Sequence, residues 1–242
     1  MTQTSAQPGV ARPPLSLASR FFGMITAPRA TYESVVAHPT WFGMLALTTV
    51  AMALLVGGFL FTQVGQEAWL EAATTGPFSG PVSDEQYEGM RKMSGYVGYI
   101  TAVSMLLMVP VFSAVFSGIL FAIFNAALGG EATYRQILAV VVHAGPIGLL
   151  AQLFTIPLNY AQGTMAGSTN LGVFTRTMLT EGSFAARLLG MIDIFVIWQL
   201  VVLSMGLAVL YRRRTQPVAV TLLVLYFTIA VIVAVVRRGA GA

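Results

Sequence analysis

Residues 96–128 read YVGYITAVSMLLMVPVFSAVFSGILFAIFNAAL, thirty-three positions without one charged side chain or histidine. As a helix rising 1.5 Å per residue this stretch is about 50 Å long, against about 30 Å of bilayer hydrocarbon. It predicts a single helix that tilts, kinks at Pro110 or protrudes from one face. Two helices meeting at Pro110 would each be too short to span. Gly129-Gly130 closes it, since glycine is favoured just past a helix C-terminus. Outward from this run, residues 34–66, 136–175 and 215–236 also lack Asp, Glu, Lys and Arg, and 188–211 holds only Asp193. Each window can contain the ~20 apolar residues of a membrane-crossing helix. The fold class is therefore all-α, a polytopic bundle of five transmembrane helices over about 41–61, 96–128, 134–158, 184–211 and 218–236. The whole chain of 242 residues is 9% charged and 56% hydrophobic. An ordinary soluble domain carries about 25% charge, so a water-soluble enzyme is excluded at the outset.

Other bulk features exclude further classes. There is no cysteine, which removes disulfides, thiolate metal sites and cysteine nucleophiles. A net charge of +4, scattered along the chain, points to lipid headgroups and not to nucleic acid. Residues 1–14 are polar and Pro-rich, as expected of a disordered tail, and no apolar core follows at signal-peptide distance.

Residues 15–39 precede the first span but have helical spacing. Leu17, Phe21, Phe22 and Ile25 recur around Arg20, and Pro28 suits the first position of a second helix over 28–37, which Pro39 stops. That helix would set Tyr32, Val35 and Val36 on one side. Two placements stay open: an amphipathic helix in the headgroup layer, or a short helix packed on the underside of the bundle. The hydrophilic segment 65–95 holds a short surface helix near 68–73. Thr133 followed by Gln136 forms a capping box that starts the third span, residues 160–183 form a loop, and Arg212 to Arg214 with Pro217 separate the last two spans. Five spans place the termini on opposite sides. Arg20 and Arg29 lie near the start of the first span, and the triple-arginine turn favours the cytoplasm, so the amino terminus is expected inside and the carboxyl terminus outside. Arg237 and Arg238 count against this orientation.

Asp193 is the one formal charge deep within a predicted span. Such a group costs a few kcal/mol or more unless paired or protonated. It could carry a proton or bind a cation, or it could hydrogen-bond a neighbouring helix and fix packing. His143 lies about 12 Å from the inner face and Asp193 about 27 Å, which argues against pairing them. Gln152, at about 26 Å, matches Asp193 better. His143 matches Gln199 or Ser117. One buried acid and two histidines lack the ligand count of a metal site, and no phosphate-binding glycine loop or serine-nucleophile turn occurs. No cofactor is expected. Small residues at four-residue spacing (Ser113 with Ser117, Ala114 with Gly118, Ala144 with Gly148) permit close helix approach, within the chain or between copies.

The segment ASRFFGMITAPRATYESVVAHPTWFGMLAL, with Phe22, Pro28, Tyr32 and Pro39, resembles the start of the Yip-domain, or Ypt/Rab-interacting protein, family. Two later stretches resemble it in the same order: GGEATYRQILAVVVHAGP, with Gly130, Tyr134 and Pro146, and IDIFVIWQLVVLSMG, with Asp193 and Trp198. The resemblance implies five spans with a cytoplasmic amino terminus. Eukaryotic members are implied to bind small GTPases in membrane traffic. This sequence shows no long acidic or aromatic amino-terminal region and looks like the compact bacterial branch, so small-GTPase binding is not carried over. The expected role is a non-enzymatic scaffold or membrane-organising protein of a bacterial cytoplasmic membrane, partnered by the lipid bilayer and by another membrane protein or itself. The alternative is a small transporter or channel titrating Asp193.

Overall fold

The computed structural model describes residues 14–75, 81–127, 129–165, 169–172, 179 and 183–239. Among these, helices and turns account for the backbone, with one isolated antiparallel bridge between Asn170 and Asp193. The expected tail lies outside the described residues up to position 13, as do 166–168, 173–178 and 180–182 of the 160–183 loop.

Two short helices open the fold. Helix α1 (Leu17–Thr26) starts on Ser16, whose hydroxyl accepts from the Ser19 amide at 3.1 Å. Helix α2 (Pro28–Ala37) begins at its proline, as the fixed φ of that ring favours. On α1, Phe22 is 64% exposed, and the buried side is set by Arg20 and Met24. On α2, Tyr32 and Val35 are fully buried. The hairpin is thus packed against the bundle, with Leu17 and Phe22 left on its outer surface.

Helix α3 (Phe42–Leu60) is the first of membrane length. Helices α4 (Gln63–Thr75) and α5 (Asp84–Ser94) then occupy the hydrophilic segment. The first is longer than the short helix expected near 68–73, and the second was not anticipated. Its signal was in the sequence: a capping box of Ser83 with Gln86, acidic Asp84 and Glu85 in the first turn, and basic Arg91 and Lys92 in the last.

Helix α6 (Val97–Phe121) runs through Pro110 and continues as a π-helical stretch, Ala122–Ala127, so residues 97–127 form one long helix. Gly129 then adopts φ +67°, the left-handed turn glycine tolerates. The Thr133–Gln136 capping box opens α7 (Tyr134–His143), which passes at Ala144 into α8 (Gly145–Gln162). Helices α9 (Phe184–Leu189), α10 (Ile194–Leu210) and α11 (Thr215–Gly239) complete the chain.

Among the described residues, four helices are long and apolar enough to cross a membrane: Phe42–Leu60, Val97–Ala126, Tyr134–Gln162 and Thr215–Val236. The expected continuous span over 184–211 is corrected. The chain leaves helical geometry between Gly190 and Asp193, and the apolar remainder, α10, has 17 residues. The physical reason is Asp193. As the residue before α10, it turns its carboxylate onto the free amides of Phe195 and Val196 at 2.8 and 3.2 Å, where a mid-helix carboxylate would have found no donor.

Helix α10 is central, with α2, α7, α8 and α11 around it. Tyr32, Val35, Ile137, Val140, Val202 and Leu207 form the heart of the core. Helix α6 pairs with α3, where a Cβ on Gly57 would stand 3.1 Å from that of Ala102. Its opposite face, including Val103, Leu107 and Phe112, is exposed.

Candidate functional site at the interrupted helices

The polar groups inside the bundle gather where helices are broken. In the third apolar helix, Pro146 follows the Ala144 junction and brings no N–H. The Ala144 carbonyl accepts instead from the Ile147 amide at 3.2 Å and from Gln199 Nε2 of α10 at 3.4 Å. Helix α3 crosses this junction closely, since a Cβ on Gly145 would lie 3.1 Å from Thr48 Oγ1 and one on Gly148 would lie 2.9 Å from Met52 Cε. The Ala144–Gly148 pair therefore serves packing within the chain. A Cβ on Gly118 would meet nothing within 4 Å.

His143 ends α7 and is 1% exposed. Its Nδ1 lies 2.7 Å from the Ala139 carbonyl. A carbonyl only accepts, so Nδ1 carries the proton and Nε2 is left as a bare acceptor. That Nε2 and Thr49 Oγ1 are buried without a hydrogen-bond partner among the described residues. Gln199 thus reaches the carbonyl next to His143 in the chain, while Ser117 turns back on its own helix, donating to Ser113 O at 2.6 Å.

The second break surrounds Asp193. Its Oδ1 accepts the two α10 amides, and its Oδ2 accepts from Thr169 Oγ1 at 2.5 Å. The Tyr226 hydroxyl of α11 donates to Met191 O at 2.6 Å and accepts from the Asp193 amide at 3.1 Å. Among the described residues no hydrogen bond joins Asp193 to Gln152, the partner that depth alone favoured, and none joins it to His143. Both carboxylate oxygens already hold donors, and so tie Thr169 to the start of α10. No group of three or more His, Asp or Glu able to hold a metal occurs among the described residues.

Elsewhere single polar contacts tie separate elements together. Tyr32 OH donates to Val140 O at 3.2 Å. Arg135 Nε donates to Pro39 O at 3.0 Å, and Tyr134 OH to Ala114 O at 2.9 Å. Trp198 packs against the central core beside Phe195. At the α6–α7 turn, Tyr211 OH donates to Asn125 Oδ1 at 2.7 Å, and the Tyr211 ring stacks on Phe124 at 4.9 Å. A Cβ at Gly130 would collide with that ring.

Sequence reasoning placed Arg20 among the rings of α1 and near the start of the first span but missed its burial. It is 3% exposed and donates to Leu15 O at 3.1 Å, His38 O at 3.3 Å and Thr40 Oγ1 at 2.6 Å. These bonds close the α1–α2 hairpin onto the start of α3, and burial pulls the guanidinium below its ordinary pKa. The sequence showed only an arginine among rings. The buried hydroxyl of Tyr32 is pushed above its ordinary value by desolvation and works as a neutral donor.

The family model described as the Yip1 domain matches residues 22–237. No curated protein and no solved structure matches the chain.

Proposed function

The chain belongs to the Yip1 domain family, and from that premise we propose that this integral membrane protein is a non-enzymatic scaffold, organising a membrane partner or a second copy of itself. One observation supports this most directly: five polar side chains of the bundle bond across to separate segments of the chain. Tyr32, Tyr134, Arg135, Gln199 and Tyr226 each donate to the backbone of another element, and Asp193 caps its own. The long exposed apolar face of α6 is then the surface offered to lipid or to a partner.

In this reading the chain crosses the bilayer five times. Helix α10, about 25 Å long, is the short crossing, seated among its neighbours. The amino-terminal hairpin, the α6–α7 turn and the α10–α11 turn share one end, since Arg29 reaches Thr215 Oγ1 at 3.4 Å and Arg135 reaches Pro39 O. Arg20, Arg29, Arg135 and Arg212 to Arg214 therefore collect on one side, which supports a cytoplasmic amino terminus in a bacterial cytoplasmic membrane. The exposed Leu17 and Phe22 of α1 support its lying in the headgroup layer. Crosslinking in native membranes tests the role. A recurrent protein adduct on α6 is expected, and adducts with lipid alone would overturn the scaffold.

The broken helices favour one second reading, a small transporter with Asp193 as its titrating group, because interrupted helices line many transport sites. It predicts that Asp193→Asn abolishes pH-dependent flux in vesicles while assembly survives. Unchanged flux would remove it.

A further inference from the structure

A groove of about 930 Å³ is lined by α6, α10 and α11 and by residues of the α6–α7 and α10–α11 turns. Its walls are apolar, with Ile119, Ile123, Leu200, Leu222, Leu225 and Ile229 among the lining residues. Its mouth is polar, formed by Glu131, Gln136, Arg212 and Arg213 beside Tyr211. The turn that carries the arginines is tightly made: Arg212 holds φ +52°, and the Arg213 amide bonds back to Ala208 O at 2.9 Å. Both arginine side chains are exposed, and neither forms an ion pair among the described residues.

We propose that this groove binds one diacyl phospholipid, its phosphate at Arg212 and Arg213 and its acyl chains along α6, α10 and α11. Two features select this occupant. The first is charge: two arginines and Glu131 sum to +1, the complement of a single phosphodiester, and arginine forks match phosphate oxygens. The second is length. The lining residues extend about 12 Å along α6, from Phe116 to Phe124, and about 18 Å along α11, from Pro217 to Ile229. On α10 they reach about 21 Å, from Val196 to Leu210. One leaflet is about 15 Å deep, half of the ~30 Å core. A partner's transmembrane helix would need contact across both leaflets, whereas one lipid needs a single leaflet with a charged end. The assignment goes beyond the scaffold reading and does not depend on it.

The test uses the full chain in vesicles containing a photoactivatable phosphatidylglycerol, with adducts mapped by mass spectrometry. Adducts are expected to concentrate in 119–136 and 210–229, several-fold above those around the exposed Leu54 of α3. Arg212→Glu with Arg213→Glu alters only an exposed turn and is expected to reduce groove adducts several-fold, leaving those at Leu54 unchanged. Leu225→Trp, at an exposed lining position, is expected to do the same by filling the groove. Labelling no denser than at Leu54, or unmoved by either variant, overturns the proposal. So does equal labelling by a photoactivatable diacylglycerol, which lacks the phosphate.

Discussion

The hydroxyl of Tyr32 donates to the carbonyl of Val140 across 3.2 Å of buried space, joining positions 108 residues apart. Gly206 makes the contact possible. A Cβ there would sit 2.7 Å from both the Tyr32 ring and the Val140 side chain. A short amino-terminal helix, a helix of the third apolar run and the central α10 thus meet at one tyrosine.

Tyr32→Phe keeps the ring and deletes the bond, and is expected to cost about 1 kcal/mol. Gly206→Val fills the space the ring occupies and is expected to cost about 1–3 kcal/mol by overpacking. Thermal unfolding in detergent measures both. A Gly206→Val protein as stable as the parent would mean that Tyr32 does not insert there.

Asp193 serves α10 through Oδ1, which accepts both amides, a task the single side-chain oxygen of asparagine also performs. Asp193→Asn is expected to unfold within about 0.5 kcal/mol of the parent, while Asp193→Leu loses the cap, at about 1–2 kcal/mol. Equal losses in the two variants would mean that the charge itself stabilises the loop.

Arg20 holds the amino-terminal hairpin to the start of α3 by three donated bonds. Arg20→Met keeps much of the apolar stem and leaves those acceptors unmet, at about 1.5–3 kcal/mol. Hydrogen exchange should quicken over 15–40 and stay unchanged in α6. A uniform change along the chain would show that Arg20 supports the whole bundle.

The absence of cysteine permits single reporters. Cysteines at Ala132 and Thr215 are expected to label from one face of the membrane, and cysteines at Ser83 and Ser183 from the other. Ser83 labelling with Thr215 would break the five-crossing topology.

The start of α2 at Pro28 and the capping box of α7 were legible because each is decided within a few residues, and the single helix over 97–127 because its run is charge-free throughout. The break before α10 was not. Residues 188–211 carry no charge apart from Asp193, and an aspartate reads alike whether it sits within a helix or caps one. What makes it a cap is tertiary: Thr169 on one carboxylate oxygen, and Tyr226 on the backbone beside it. The burial of Arg20 was hidden for the same reason, since its acceptors come from both the lead-in to α1 and the α2–α3 connection.

Sequence by itself determined that this chain is built of helices fit for lipid. Long charge-free runs must satisfy their own backbone hydrogen bonds, and the helix does so locally. Which faces of those helices turn inward was left to the tertiary structure. Lipid tails are as apolar as leucine side chains, so composition does not separate the exposed α6 from the enclosed α10. Close backbone approach at Gly57, Gly145 and Gly206, and single hydrogen bonds between distant helices, make that separation.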